Sequence, residues 1–136
     1  FGRGDDDDDS EENESSDDDD FGESISKMSL PKGLQNLTYG RPFNHSIENV
    51  TLPSGLQNLT FGAEFNQSME NVSLPSGLRS LTFGRDFNHS IEKVSLPCGL
   101  HNLAFGYLFN NSMDKVFLPS SLQSLTFGGN FNQSME

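Results

Sequence analysis

Apolar positions along this chain recur every 22 residues, without insertion or deletion. Leu-Pro stands at 30–31, 52–53, 74–75, 96–97 and 118–119. A phenylalanine column follows at Phe43, Phe65, Phe87, Phe109 and Phe131, and Phe21 extends it one step earlier. A fixed period of this size marks a repeat architecture, in which one coil cannot bury its own apolar face and a stack of coils can. Residues 47–68 serve as the example. Val50 and Leu52 alternate around Thr51, and Leu59 and Phe61 alternate around Thr60. Each alternation is the period-two signal of a short strand. Pro53 cannot donate to a ladder and closes the first. Gly62 closes the second and permits a backbone turn that a side chain would block. Leu56, Phe65 and Met69 supply further inward groups. No stretch keeps a 3.6-residue period, and only a single helical turn from Phe65 to Met69 is compatible with the pattern. The expected fold is a repeat solenoid, mainly β, of about five coils spaced about 4.8 Å apart, each with two short parallel strands.

Polar columns follow the same period. Asn44, Asn66, Asn88, Asn110 and Asn132 come directly after the phenylalanines. An amide both donates and accepts, so this column reads as a structural ladder, buried at a corner and bonding the backbone that the corner leaves unpaired. Ser46, Ser68, Ser90, Ser112 and Ser134 read as helpers at that corner. Asn-x-Ser/Thr triplets, as at Asn44, Asn49, Asn66 and Asn88, arise mostly because Ser follows the ladder Asn by two positions. They are therefore not read as evidence of secretion.

Charge separates a tail from the body. Residues 1–20 hold 12 acidic residues and one Arg, whereas 21–136 hold 8 acidic and 7 basic residues. The first segment reads as an acidic disordered tail or linker, because a run of like charges buries too little to order itself. Within it, Arg3-Gly4-Asp5 reads as a chance adhesion-type tripeptide, and Ser10, Ser15 and Ser16 precede acidic residues as acidophilic kinases prefer. Residues 21–136 read as the solenoid, truncated at both ends, because the chain starts without Met and stops inside a repeat. The near-neutral body has no phosphate-seeking footprint, so nucleic acid is not expected as a partner. No apolar run approaches the roughly 20 residues that span a bilayer. A single cysteine, Cys98, rules out an internal disulfide and fits a reducing compartment. Localisation is otherwise unmarked.

These residues resemble the FNIP repeat family, a 22-residue relative of leucine-rich repeats. Its pattern Leu-Pro-x-x-Leu-x-x-Leu-x-Phe-Gly-x-x-Phe-Asn-x-x-Ile is met at Leu52, Pro53, Leu56, Leu59, Phe61, Gly62, Phe65, Asn66 and Met69. It is also similar to the BspA-like repeats. Ser68 and its equivalents depart from the family, where Pro is common. The resemblance implies a leucine-rich-repeat-like solenoid, a protein-interaction role, sometimes beside an F-box, and a protist, algal or large-virus setting.

No catalytic set emerges, and neither an enzyme nor a cofactor is expected. His45 and His89 share a column two coils apart, about 10 Å at the rung spacing, too far to share a metal ion. The acidic column Glu48, Glu70, Glu92, Asp114 and Glu136 reads as a solvated face partly paired with Lys93 and Lys115. Recognition is assigned to positions that break the repeat: Arg41, Glu64, Arg85, Asp86, Tyr107, Leu108 and Phe117. The expected function is a non-catalytic protein–protein interaction or scaffold module within a larger assembly. The alternative is ice or mineral-surface binding through the acidic column and the Thr column, Thr38, Thr60, Thr82 and Thr126, which Ala104 interrupts.

Overall fold

A computed structural model describes residues 30–133. The acidic tail with its tripeptide and serines, the half-repeat from Phe21 to Ser29, Ser134 and Glu136 lie outside the described residues. Five strands occur among the described residues: β1 (Asn36–Thr38), β2 (Asn58–Thr60), β3 (Ser80–Thr82), β4 (Asn102–Ala104) and β5 (Ser124–Thr126). They form one parallel sheet in sequence order. Leu37, Leu59, Leu81, Leu103 and Leu125 are direct partners, so the 22-residue repeat is also the register.

Three turns close each coil. In the first coils they run from Pro31 to Leu34, from Gly40 to Phe43 and from Ile47 to Val50, with N–H···O distances of 3.2, 3.2 and 3.0 Å. The bonds of the first and third turns recur along the stack, and that of the second recurs from Phe65 to Gly62 at 3.4 Å and from Phe131 to Gly128 at 3.3 Å. The mainly β parallel solenoid is therefore present, but the expectation of two strands per coil is corrected to one. The Val50 N–H is taken by Ile47, and Pro53 opens the next turn by accepting from Leu56. Only Thr51 and Leu52 remain between them, too few for a ladder, and proline supplies no donor. The remaining strand lies one residue earlier than the Leu59–Phe61 alternation, although the Phe61 N–H still bonds Thr82 across the coils at 2.9 Å. The helical turn from Phe65 to Met69 does not form.

Among the described residues the interior is apolar, with no buried polar or charged residue apart from one tyrosine. Two aromatic columns dominate it. Tyr39, Phe61, Phe83, Phe105 and Phe127 stack at 5.4 to 5.6 Å between neighbouring coils. Phe43, Phe65, Phe87, Phe109 and Phe131 stack at 6.1 to 6.2 Å. These separations exceed the strand spacing, as for offset rather than eclipsed rings. Within a coil the two rings meet more closely, at 4.1 Å for Phe61 and Phe65.

The glycine column Gly62, Gly84, Gly106 and Gly128 has a different cause from the one expected. None has a backbone in the left-handed region, so the turn itself does not demand glycine. A Cβ on Gly84 would lie 2.2 Å from the Gly62 carbonyl oxygen, and one on Gly106 equally close to that of Gly84. Glycine is needed because the backbones of successive coils touch here. At Gly55, in the other glycine column, a Cβ would meet only the Lys32 carbonyl at 3.7 Å. Ser121 occupies that second column naturally, with its hydroxyl 2.7 Å from the carbonyl oxygens of both Cys98 and Leu100.

Tyr39 stands where the other coils have Phe. Its hydroxyl is buried with no hydrogen-bond partner among the described residues. Burial also pushes its ionisation well above the ordinary phenol value of 10.0.

Two predictions come from this packing. Gly84→Ala should lower stability by about 3 kcal/mol, since a backbone atom must move to admit the methyl group. Gly55→Ala should stay within about 1 kcal/mol of wild type. Urea midpoints of the two variants compare them directly, and equal midpoints would refute the close-approach explanation. Tyr39→Phe should gain about 1–2 kcal/mol by removing an orphaned hydroxyl. A raised folded-state pKa makes folding lose free energy once the unfolded phenol ionises, above pH about 10. Wild type should therefore lose stability there that the phenylalanine variant keeps, as alkaline melting curves would record.

Candidate interaction surface

The asparagine column lies on the outside of the coil. Asn44, Asn66, Asn88 and Asn132 are exposed and Asn110 is half-buried, in contrast to the buried corner the sequence suggested. The Asn44 side-chain oxygen accepts from the Asn66 backbone N–H at 2.8 Å. Asn66, Asn88 and Asn110 accept from the asparagine one coil later at 2.9 Å each. Each amide thus pins the next corner.

A second rank, absent from the sequence reading as a unit, reinforces this ladder. Gln67, Asn111 and Gln133 donate side-chain N–H groups to the side-chain oxygens of Asn44, Asn88 and Asn110 at 2.9, 2.7 and 2.9 Å. The His89 Nε2 sits 3.0 Å from the Asn66 backbone carbonyl. The available signal was chemical: this column, which begins at His45, holds only amides and imidazoles. Next along, Ser46, Ser68, Ser90 and Ser112 accept from the backbone N–H two residues ahead, at 3.1 to 3.2 Å. A hydroxyl used this way holds a turn locally, which fits the absence of proline in that column.

The acidic residues Glu48, Glu70, Glu92 and Asp114 occupy the third turn. Asn71 donates to Glu48 at 3.4 Å. Among the described residues Lys93 and Lys115 form no ion pair, so the expected lysine pairing is absent. No group of three or more metal-ligating side chains occurs among the described residues. The Thr38, Thr60, Thr82, Thr126 column runs in register along the sheet, broken at Ala104. Beside it, Asn58 donates to Asn36 across the sheet. Cys98 is exposed and free.

Six of the seven residues that break the repeat gather at one corner. The second turn places Arg41, Arg85 and Tyr107 in one column and Glu64, Asp86 and Leu108 in the next. Its backbone is fixed by bonds across the coils: Glu64 N–H to the Arg41 carbonyl at 3.0 Å, Asp86 to Ala63 at 2.9 Å, Leu108 to Arg85 at 2.9 Å. The Arg85 Nε lies 2.7 Å from the Asp86 carboxylate, while Arg41 approaches Glu64 only to 4.0 Å. The Arg85 hydrogen bond holds the Asp86 carboxyl below the ordinary range, and its Asp86 partner raises the guanidinium. Tyr107 is 58% exposed and Leu108 37%. The Tyr107 ring covers Gly129, where a Cβ would come within 2.9 Å of it. Phe117, 93% exposed, lies apart on the side between the third and first turns. The structure therefore presents a corner ridge and a separate aromatic, not one patch.

Comparison with known proteins agrees with this geometry. Matches to the FNIP Repeat family span residues 43–86, 65–108, 87–130 and 109–136. No curated protein matches the chain. Among solved structures, it is similar to CroV588, described as a novel circular LRR protein, with 52% sequence identity and a TM-score of 0.69. That likeness covers 76% of this chain and 15% of the CroV588 chain. With its one-strand coil, 22-residue register and stacked phenylalanines, this chain belongs to the FNIP repeat family, a leucine-rich-repeat-like solenoid.

Proposed function

We propose that this chain is a non-catalytic interaction module that presents the second-turn ridge to a protein partner within a larger assembly. Leucine-rich-repeat-type folds generally serve protein interaction and are typically not catalytic. One observation carries the finer reading. At the second turn the backbone is held by bonds across the coils while its two side chains change from coil to coil, through Arg41-Pro42, Ala63-Glu64, Arg85-Asp86, Tyr107-Leu108 and Gly129-Asn130. A rigid backbone carrying variable side chains supplies specificity at low ordering cost. Tyr and Arg are the residue types that anchor protein interfaces most often.

Tyr107→Ser with Leu108→Ser should remove the protein that wild-type chain captures from its native extract, without lowering the urea midpoint. Phe117→Ser, on another side of the coil, should leave that capture intact. Unchanged capture by the double variant would refute the ridge as the binding surface.

A further inference from the structure

We infer that the second-turn ridge pairs with the same ridge of a second copy of this chain, side by side, with the two stacks parallel. This names the partner of the ridge and rests on the ridge being the interaction surface. The two columns of the ridge differ in sign: the first carries Arg41 and Arg85, the second Glu64 and Asp86. One coil after Arg85 and Asp86 both columns are apolar, at Tyr107 and Leu108. A two-fold axis along the stack lays each coil against the same coil of the other copy, and the first column against the second. Arg85 then faces the partner's Asp86, and Asp86 faces the partner's Arg85. Tyr107 faces the partner's Leu108, and Leu108 the partner's Tyr107. Unlike charges meet at one coil and apolar groups at the next, and both copies keep step because they share one coil spacing.

The groups at these coils are available. The Arg85 and Asp86 side chains are 55% and 28% exposed. Within the chain Asp86 takes the Arg85 Nε at 2.7 Å and Nη2 at 3.5 Å. A guanidinium has five donors and a carboxylate about four acceptor sites, so both keep capacity for a second pair. The coils on either side do not obstruct approach, since Ala63 is small and Gly129 has no side chain. The antiparallel arrangement fits less well. With the axis across the stack at the coil of Arg85, that guanidinium meets the partner's Arg85. Half a coil further on, it meets the partner's Tyr107. Five corners span only about 19 Å of stack. A strip that long reaches the roughly 800 Å² per partner of a standard interface only if it is about 40 Å wide, so the pair is a weak one. The contact is the same on both copies, so it closes at two.

Sedimentation equilibrium of the full chain tests this, with a reductant present so that the exposed Cys98 cannot link copies. The weight-average mass should rise from the 15.0 kDa of one chain towards twice that, and no higher, as concentration approaches about 1 mM. A single-chain mass throughout, or growth past two copies, overturns the inference. Arg85→Asp sets acid against acid and Asp86→Arg sets base against base, so each should weaken association at least about tenfold. Circular dichroism checks that both variants fold. Mixing them restores unlike charges at both columns and should give a 1:1 dimer. Failure of the mixture to pair overturns the charge matching. A variant with both changes should pair with itself and not with wild type, and preference for wild type would show an antiparallel pair and overturn the parallel one. If the purified chain stays single while capture from extract still requires Tyr107 and Leu108, the ridge stands as a binding surface and the second copy falls as its partner.

Discussion

The spacing between coils constrains everything else in this molecule. Strand pairing sets that spacing at about 4.8 Å, and at the second turn it brings backbone against backbone with no room for a Cβ. The Gly84 and Gly106 positions meet the preceding carbonyl at 2.2 Å from where a methyl group would sit. Once coils are that close, every residue lies against its own equivalent one period away. Leucine faces leucine, ring stacks on ring, and an asparagine oxygen finds the N–H of the next asparagine. An insertion of one residue would break all of these columns together, which explains a 22-residue period kept without interruption.

Much of this was legible in the sequence because a repeat displays its own register. The inward leucines and phenylalanines, the parallel stacking and the asparagine column all follow from spacing. The second strand did not follow. Val50-Thr51-Leu52 alternates like a strand, but whether it pairs depends on the turn at Ile47–Val50 and the one opening at Pro53, which together leave two residues free. Local alternation cannot register such crowding. The side on which the asparagines lie was equally hidden, since an amide ladder bonds the backbone from outside a corner as well as from within. Gly62 could be flagged as special, but the cause, contact with a coil 22 residues away, is not a local property.

For the surface, the period works by subtraction. Asn, Gln and Ser residues that resemble binding or modification sites are occupied in holding corners. The positions that depart from the repeat remain, and the fold sorts them as the sequence could not. Arg41, Glu64, Arg85, Asp86, Tyr107 and Leu108 fall on one corner with a fixed backbone, while Phe117 stands on another side. Among these, the Arg85–Asp86 pair at 2.7 Å is a contact between neighbours on the surface. Ion pairs of that kind add little stability, so fold stability does not account for it.

Each coil has one strand and three turns, and it is held to its neighbours at the sheet, at the second turn and at the asparagine corner. Residue-resolved amide hydrogen exchange tests this arrangement most directly. Slow exchange is expected at Phe61, Phe83, Asn66 and Asn88, whose N–H groups bond the adjacent coil. Fast exchange is expected at Thr51, Ser73 and Ser95, on the side without a ladder. Protection of Thr51, Ser73 and Ser95 equal to that of the strands would reveal a second sheet and contradict this architecture.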